Sequence, residues 1–363
     1  MSSSKRISVG RAAIGLCSCS KGCTRNPNGN RHLRRRAQER IPQTHRNMNT
    51  AGTIINRCDS LDGVLIAYKE TGWTSHDVVA KVRKLLGESK VGHAGTLDPG
   101  ATGVLPVLVG RATRIAEYLV DWDKEYCAVL RLGETTDTQD ASGQVLTTSD
   151  PSHVDGDAIR TAVAQFRGAQ RQLPPMYSAV KVDGQPLYKA ARAGKVLDRV
   201  ERSVTVHELE VLAIHGRDVT LRIVCSKGTY VRTLCADIGQ FLGVGGHLYA
   251  LERSRVGPLQ VDQALTIGQI EHHLMAGTLQ NQVLSLDHLL SRLPAVVVNA
   301  EQAQRVVHGN PVFPAGMSQL PVSPHPLSVR LKNEAGQLLA IGTHDTRSVG
   351  PITIRKVFTV MTH

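Results

Sequence analysis

Residues 92–103 read Gly-His-Ala-Gly-Thr-Leu-Asp-Pro-Gly-Ala-Thr-Gly and set one carboxylate, Asp98, in a run of small residues. Pro99 restricts Asp98 to extended backbone, and the surrounding glycines permit tight turning and close approach of a ligand. A carboxylate on such a loop is accessible and, when ionised, is a candidate nucleophile or base. Leu-Asp-Pro-Gly is equally an ordinary β-turn sequence, and the stretch alone leaves both readings open. His93 and Asp98 make too few ligands for a metal, and no other cluster has ligand spacing. A phosphate loop would need a following Gly-Lys-Ser/Thr, and a serine hydrolase a Gly-x-Ser-x-Gly elbow; neither occurs. Ser75, His76 and Asp77 are consecutive, so their side chains cannot converge from a helix. A lone carboxylate remains, with no metal or cofactor expected.

The elements that must position it are legible from periodicity. Residues 63–69 (GVLIAYK) predict a strand. Residues 74–87 (TSHDVVAKVRKLLG) predict a helix, capped by Thr74 or Ser75, striped by Val78, Val79, Val82, Leu85 and Leu86, and ended by Gly87. Residues 126–133 predict a strand, 155–166 a short amphipathic helix, and 203–214 and 218–225 two strands joined by His-Gly-Arg-Asp. A helix closed by Gly243 follows in TYVRTLCADIGQFLG, then a strand in HLYALERSRVG. The class is α+β around a mixed or antiparallel sheet. Near Leu293-Pro294 the texture changes to short strand-like runs and a Pro-rich stretch, which predicts a small β-rich second domain over 293–363.

The segment 174–200 carries Lys181, Lys189, Arg192 and Lys195, with Tyr177 and Tyr188 interleaved. Cations beside rings on a turn-rich stretch suit phosphates and unstacked bases; the plainer alternative is a solvated basic face. Lys81, Arg83, Lys84 and Lys90 are further candidates for backbone contact. The whole chain of 363 residues has a net charge of +12, with 43 Lys and Arg against 31 Asp and Glu. Residues 1–50 hold 11 of those bases and one acid, Glu39, so the remainder is nearly balanced. A nucleic-acid reading therefore depends on local patches. Cys17, Cys19 and Cys23 lack a second cluster for zinc, and the seven cysteines are expected as free thiols in a reducing cytoplasm. No apolar run approaches the roughly 20 residues of a membrane span.

Four blocks, TSHDVVAKVR, GHAGTLDPGATGVLPVLVGRATR, PPMYSAVKVDGQPLYKAARAG and SKGTYVRT, occur in an order that resembles the TruB family of tRNA pseudouridine synthases, over about residues 61–290. The C-terminal part more weakly resembles the β-rich PUA domain often appended to that family. The resemblance implies a catalytic domain over 51–292, a PUA-like domain over 293–363, and isomerisation of uridine 55 in the T-loop of tRNA without a cofactor. It implies a cytoplasmic monomer with the tRNA T-arm as partner, and no protein partner or membrane. Asp98 matches the essential aspartate, acting as nucleophile or as the base that opens a glycal route. Burial would raise its pKa, so a cation is required, and the family's matches Arg232. Tyr230 matches a residue that meets the base, its hydroxyl moving a proton at C5. Tyr126 matches the ring stacked on the flipped uracil, a contact worth about 1–3 kcal/mol. His93 matches a residue that displaces the nucleotide, and Leu251 an apolar wall of the pocket. The rivals are a guide-RNA-dependent relative and a tRNA-folding chaperone with dispensable catalysis.

Three features depart from the family pattern. Tyr68-Lys69-Glu70 stands where many members have Asp-Lys-Pro, leaving Lys69 as the retained substrate-site residue. Gly100 replaces a bulkier residue. The basic segment 1–50 has no family counterpart and is expected to be a disordered tail; an RNA arm and a targeting segment are the competing explanations to a true start at Met48. Deletion of residues 1–47 should therefore leave isomerisation and tRNA affinity largely intact. A steep loss of affinity in a filter-binding titration would make the segment an RNA arm.

Overall fold

A computed structural model describes residues 61–358 apart from Ala179, Asp183, Val196, Ser348 and Val349. The expected basic tail, with Cys17, Cys19 and Cys23, lies outside the described residues.

The chain opens with β1 (Gly63–Lys69), α1 (Ser75–Leu86), β2 (Val91–His93) and β3 (Thr102–Val109), followed by α2 (Ala116–Val120) and β4 (Lys124–Leu132). The hairpin β5 (Glu134–Thr136) and β6 (Val145–Thr148) precedes α3 (Gly156–Gln165) and β7 (Gly168–Gln172). The basic segment forms β8 (Lys181–Val182), β9 (Gln185–Pro186) and α4 (Leu187–Arg192). Then come β10 (Arg202–His215), β11 (Asp218–Cys225), α5 (Val231–Phe241), β12 (Gly246–Val256) and β13 (Leu259–Gln260). Local signals account for α1 in particular. On α1, Thr74 Oγ1 accepts from the Asp77 amide while Asp77 Oδ2 accepts from the Thr74 amide, and Gly87 closes the helix in the left-handed region. Val78, Val79 and Val82 are buried beneath it.

The main sheet runs β1-β3-β12-β4-β11-β10-β7, with β2 also on β3 and β13 also on β12. All neighbours are antiparallel except β3 and β12, which run parallel for two residue pairs, Thr102 with Glu252 and Arg253 with Gly103. That one parallel contact brings the end of the Asp98 loop against a strand that follows 150 residues later. Gly103 makes it possible: its φ is +101°, and a Cβ there would lie 2.3 Å from the Arg253 carbonyl oxygen. On one face α3 and α5 cover the core residues Ala128, Leu130, Leu221 and Ile223, α5 contributing Leu234 and Ile238. α1 and α6 (Ile267–Met275) cover Leu65, Leu105, Val107 and Ile270.

After α7 (Leu286–Leu289) the expected β-rich part is a second sheet, β14 (Ala295–Val297), β15 (Leu327–Lys332), β16 (Leu338–His344) and β17 (Thr353–Val357), with α8 (Ala300–Val307) packed on it. Its inner side chains include Val296, Val329, Leu331 and Ile352, whereas Ile341 and Phe358 pack into a cluster with Val64, Val104 and Leu119. Asp287 pairs with Arg330 at 2.7 Å and Lys332 at 2.8 Å, and Lys356 with Glu117 at 2.9 Å. Among the described residues no helix is long and apolar enough to cross a membrane.

Gly103→Ala should destabilise the protein by more than about 2 kcal/mol, because the methyl meets backbone in a strained conformation. Gly100 has open space around it and no left-handed φ. Gly100→Ala should therefore be neutral or stabilise by about 0.4–1 kcal/mol. Urea denaturation of both variants checks the contrast; equal midpoints would contradict it.

Candidate active site

Asp98 to Ala101 form a backbone turn, with the Ala101 amide donating to the Asp98 carbonyl at 3.0 Å. The turn uses only main-chain groups and so does not engage the Asp98 carboxylate. The loop is pinned from two sides. Ser75, buried at the start of α1, donates to the Leu97 carbonyl at 3.2 Å and accepts from the Leu97 amide at 2.9 Å. Lys69 is fully buried, and its ammonium donates to the carbonyls of Trp73 at 2.7 Å, Glu70 at 3.1 Å and Pro99 at 3.2 Å. Lys69 thus ties the end of β1 to the Pro99 end of the loop. Burial lowers its pKa to about 8, with Asp98 opposing.

Arg232 lies in the first turn of α5, its side chain 5% exposed against 40% for Asp98. Its Nη2 donates to Asp98 Oδ1 at 3.3 Å and to the Tyr177 carbonyl at 3.0 Å, and Nε stands 2.9 Å from Asp98 Oδ2. Nη1 donates to the Thr138 carbonyl at 3.4 Å and to Asp140 Oδ2 at 3.5 Å. One guanidinium therefore faces two carboxylates. Burial pushes the Asp98 carboxyl above its ordinary value; Arg232 opposes that, and Asp140 adds to it.

Asp140 was not singled out from the sequence. The string Thr-Asp-Thr-Gln-Asp-Ala-Ser-Gly reads as a turn, and Asp140 Oδ1 does accept from the Ser142 amide at 2.9 Å and the Thr138 hydroxyl at 2.8 Å. The other oxygen is left for Arg232. The preceding residue, Gln139, adopts φ +62°, and its side-chain oxygen accepts from Thr233 on α5 at 3.0 Å. Gln172 was missed as well. Buried at the end of β7, it accepts from the Tyr230 amide at 2.9 Å and donates to the Tyr230 carbonyl at 3.2 Å, fixing the backbone of the residue that caps α5. Neither has a sequence signal beyond turn propensity and strand alternation.

Tyr126 and Leu251 share the helix-covered face of the sheet. Tyr126 pairs with Arg253 across the β4–β12 ladder and Leu251 with Ala128, and both pack against the same core cluster. Burial pushes the Tyr126 phenol up to about 12, so it remains protonated. Tyr230 is half-buried, two residues before Arg232. His93 ends β2; its Nδ1 is buried with no hydrogen-bond partner among the described residues. Burial, with help from Arg253 and His76, holds its pKa below the ordinary value, so the imidazole is neutral at pH 7. The basic side chains fall elsewhere: Lys181 on β8, Lys189 on α4 and Lys195 just beyond it are exposed. Arg192 closes α4, its side chain outside the described part. Of the other cations, Lys81 pairs with Glu271 at 2.5 Å and Arg83 donates to the Val91 carbonyl at 2.9 Å.

Residues 83–231 match the sequence profile of the TruB family pseudouridylate synthase N-terminal domain, and residues 232–294 that of the tRNA pseudouridylate synthase B C-terminal domain. The chain is 44% identical to the tRNA pseudouridine synthase B of Aromatoleum aromaticum, covering 78% of this chain and 89% of the relative. For the Thermobifida fusca protein of the same name the figures are 42%, 81% and 98%. Among solved structures, a chain of a Cbf5–Nop10–Gar1 complex superposes with a TM-score of 0.63 at 28% identity, covering 82% of this chain and 84% of that one.

If Arg232 is the main counter-charge, Arg232→Met should raise the Asp98 pKa further, and Arg232→Lys should raise it less. Carbon-13 NMR titration of the aspartate carboxyls reads both. An unchanged or lower Asp98 value in the Met variant would contradict the assignment.

Proposed function

Because this chain belongs to the TruB family of pseudouridylate synthases, we propose that it isomerises uridine to pseudouridine in tRNA, at position 55 of the T-loop, with Asp98 as the reacting carboxylate. The observation that carries the assignment of roles is the contact between Asp98 and the buried Arg232. A partly exposed carboxylate is reachable by a substrate, and the guanidinium favours its charged form, which both chemical routes require.

In the isomerisation the bond between N1 and the sugar C1′ breaks, and one between C5 and C1′ forms. The hydrogen on C5 is lost and N1 gains one, so atoms balance without an oxidant or reductant. Asp98 attacks the sugar or withdraws its proton. The target base must leave its stack first. Tyr126 and Leu251 offer a ring and an aliphatic wall to receive it, and the neutral His93 a group to stack or hydrogen-bond without adding charge. Tyr230, its backbone gripped by Gln172, serves the C5 proton on this reading. The exposed Lys181, Lys189 and Lys195 serve the phosphates of the T-arm.

On this proposal the catalytic domain spans 51–292, with the RNA-gripping insertion at 174–200 and a PUA-like domain at 293–363, and the protein works as a cytoplasmic monomer. The segment YSAVKVDGQPLYKAARAG at 177–194 resembles the guide-independent form, which favours free tRNA over a guide-RNA scaffold.

Purified protein incubated with unmodified tRNA transcript should yield pseudouridine at position 55, mapped by carbodiimide-primed reverse-transcription stops. Asp98→Asn should abolish the product while tRNA affinity stays within about threefold. Appreciable turnover by that variant, or product only at other positions, would refute the proposal.

A further inference from the structure

Arg253 is the largest fully buried side chain of the described residues, and no motif reading selected it. It stands on β12 where that strand meets β3 and β4, opposite Gly103 on one side and Tyr126 on the other. Its Nε donates to the Val104 carbonyl at 2.8 Å, Nη2 to Gly95 at 3.0 Å and Nη1 to Thr96 at 3.4 Å. Gly95 and Thr96 enter the Asp98 loop; Val104 follows it. One planar fork therefore clasps both ends of the loop from behind. Gly95 leaves room for it, since a Cβ there would lie 3.5 Å from Nη1.

A buried guanidinium is costly, and among the described residues no carboxylate makes an ion pair with it. Packing alone would be served as well by an aliphatic side chain. What the charge and fork supply is geometry and a second positive potential at the reacting group. Asp98 is faced by Arg232, Lys69 and Arg253 as cations, by Asp140 as an anion and by the Tyr126 phenol. Arg253 itself is faced by Tyr126, Asp98, His93, Lys124 and Lys69.

We infer that Arg253 is a positioning residue of the isomerisation, which clasps the two ends of the Asp98 loop and keeps the carboxylate aimed and ionised. This rests on Asp98 being the reacting group. Arg253→Lys keeps the charge and loses the fork; Arg253→Met loses both. The consequences separate. Without the fork the loop shifts and the chemical step slows, while tRNA, gripped elsewhere, still binds. Without the charge, the Asp98 carboxyl also protonates at higher pH, so the acid limb of the rate profile moves up.

The test is single-turnover isomerisation at saturating tRNA over roughly pH 5 to pH 9, with tRNA affinity and thermal unfolding of each variant, and Asp98→Asn run alongside. Arg253→Lys should stay folded, bind tRNA within about threefold and react at least about tenfold more slowly with its acid limb unmoved. Arg253→Met should in addition show the limb at higher pH; if it does not fold, Arg253→Lys decides. A Lys variant with wild-type rate overturns the inference. So does one whose rate loss is matched by weaker binding or by its unfolded fraction, because Arg253 is then only a structural prop. Turnover by Asp98→Asn would instead strike the functional reading itself, whatever the Arg253 variants do.

Discussion

A carboxylate that must react as an anion cannot sit deep in protein without a counter-charge, and it cannot sit in open water without losing its aim. Asp98, the reacting group of the proposed function, lies between these limits, two-fifths exposed, against an almost fully buried guanidinium. Burial still wins in part, since the carboxyl titrates above its ordinary range despite Arg232. The rest of the fold can be understood as the means of holding that pair. α5 brings Arg232, β1 and α1 pin the loop from below, and the 137–143 turn supplies Asp140 as the second acceptor of the guanidinium.

The loop is glycine-rich yet not loose. Each glycine that matters permits another group to come close: Gly103 admits the β12 backbone and Gly95 the Arg253 side chain. Main-chain carbonyls of the loop are then taken by Lys69 and Arg253, and its Leu97 peptide by Ser75. Small side chains here are exchanged for contacts from three surrounding elements, which is how a flexible sequence becomes a rigid support.

The Tyr68-Lys69-Glu70 departure from the family pattern also has a physical outcome. The Tyr68 hydroxyl donates to Glu252 Oε1 at 2.8 Å, tying β1 to β12 across the intervening β3. Lys69 turns the other way, under the loop. Tyr68 therefore supplies a brace on the sheet, while Lys69 supports the Asp98 turn.

Much of the architecture was legible along the chain, because capping boxes, apolar stripes and left-handed glycines act within a few residues. The Thr74 cap, the Gly87 stop and the strands at 63–69, 126–133, 203–214, 218–225 and in HLYALERSRVG needed no tertiary information, whereas β3 and β7, which flank the site, carried no strand reading in the sequence. Asp98 was visible for the same reason: its proline and glycines are its neighbours in sequence. The partners that make it a site were not visible in that way. Arg232 is 134 residues from Asp98 and 92 from Asp140, and Gln172 is 58 from Tyr230; the resemblance of motif blocks supplied Arg232, and nothing supplied Asp140, Gln172 or Arg253. Those pairings are decided by strand order, which sets β12 between β3 and β4 and so chooses which buried charge meets which carbonyl. A buried ion has no periodicity of its own, and only the assembled sheet determines what neutralises it.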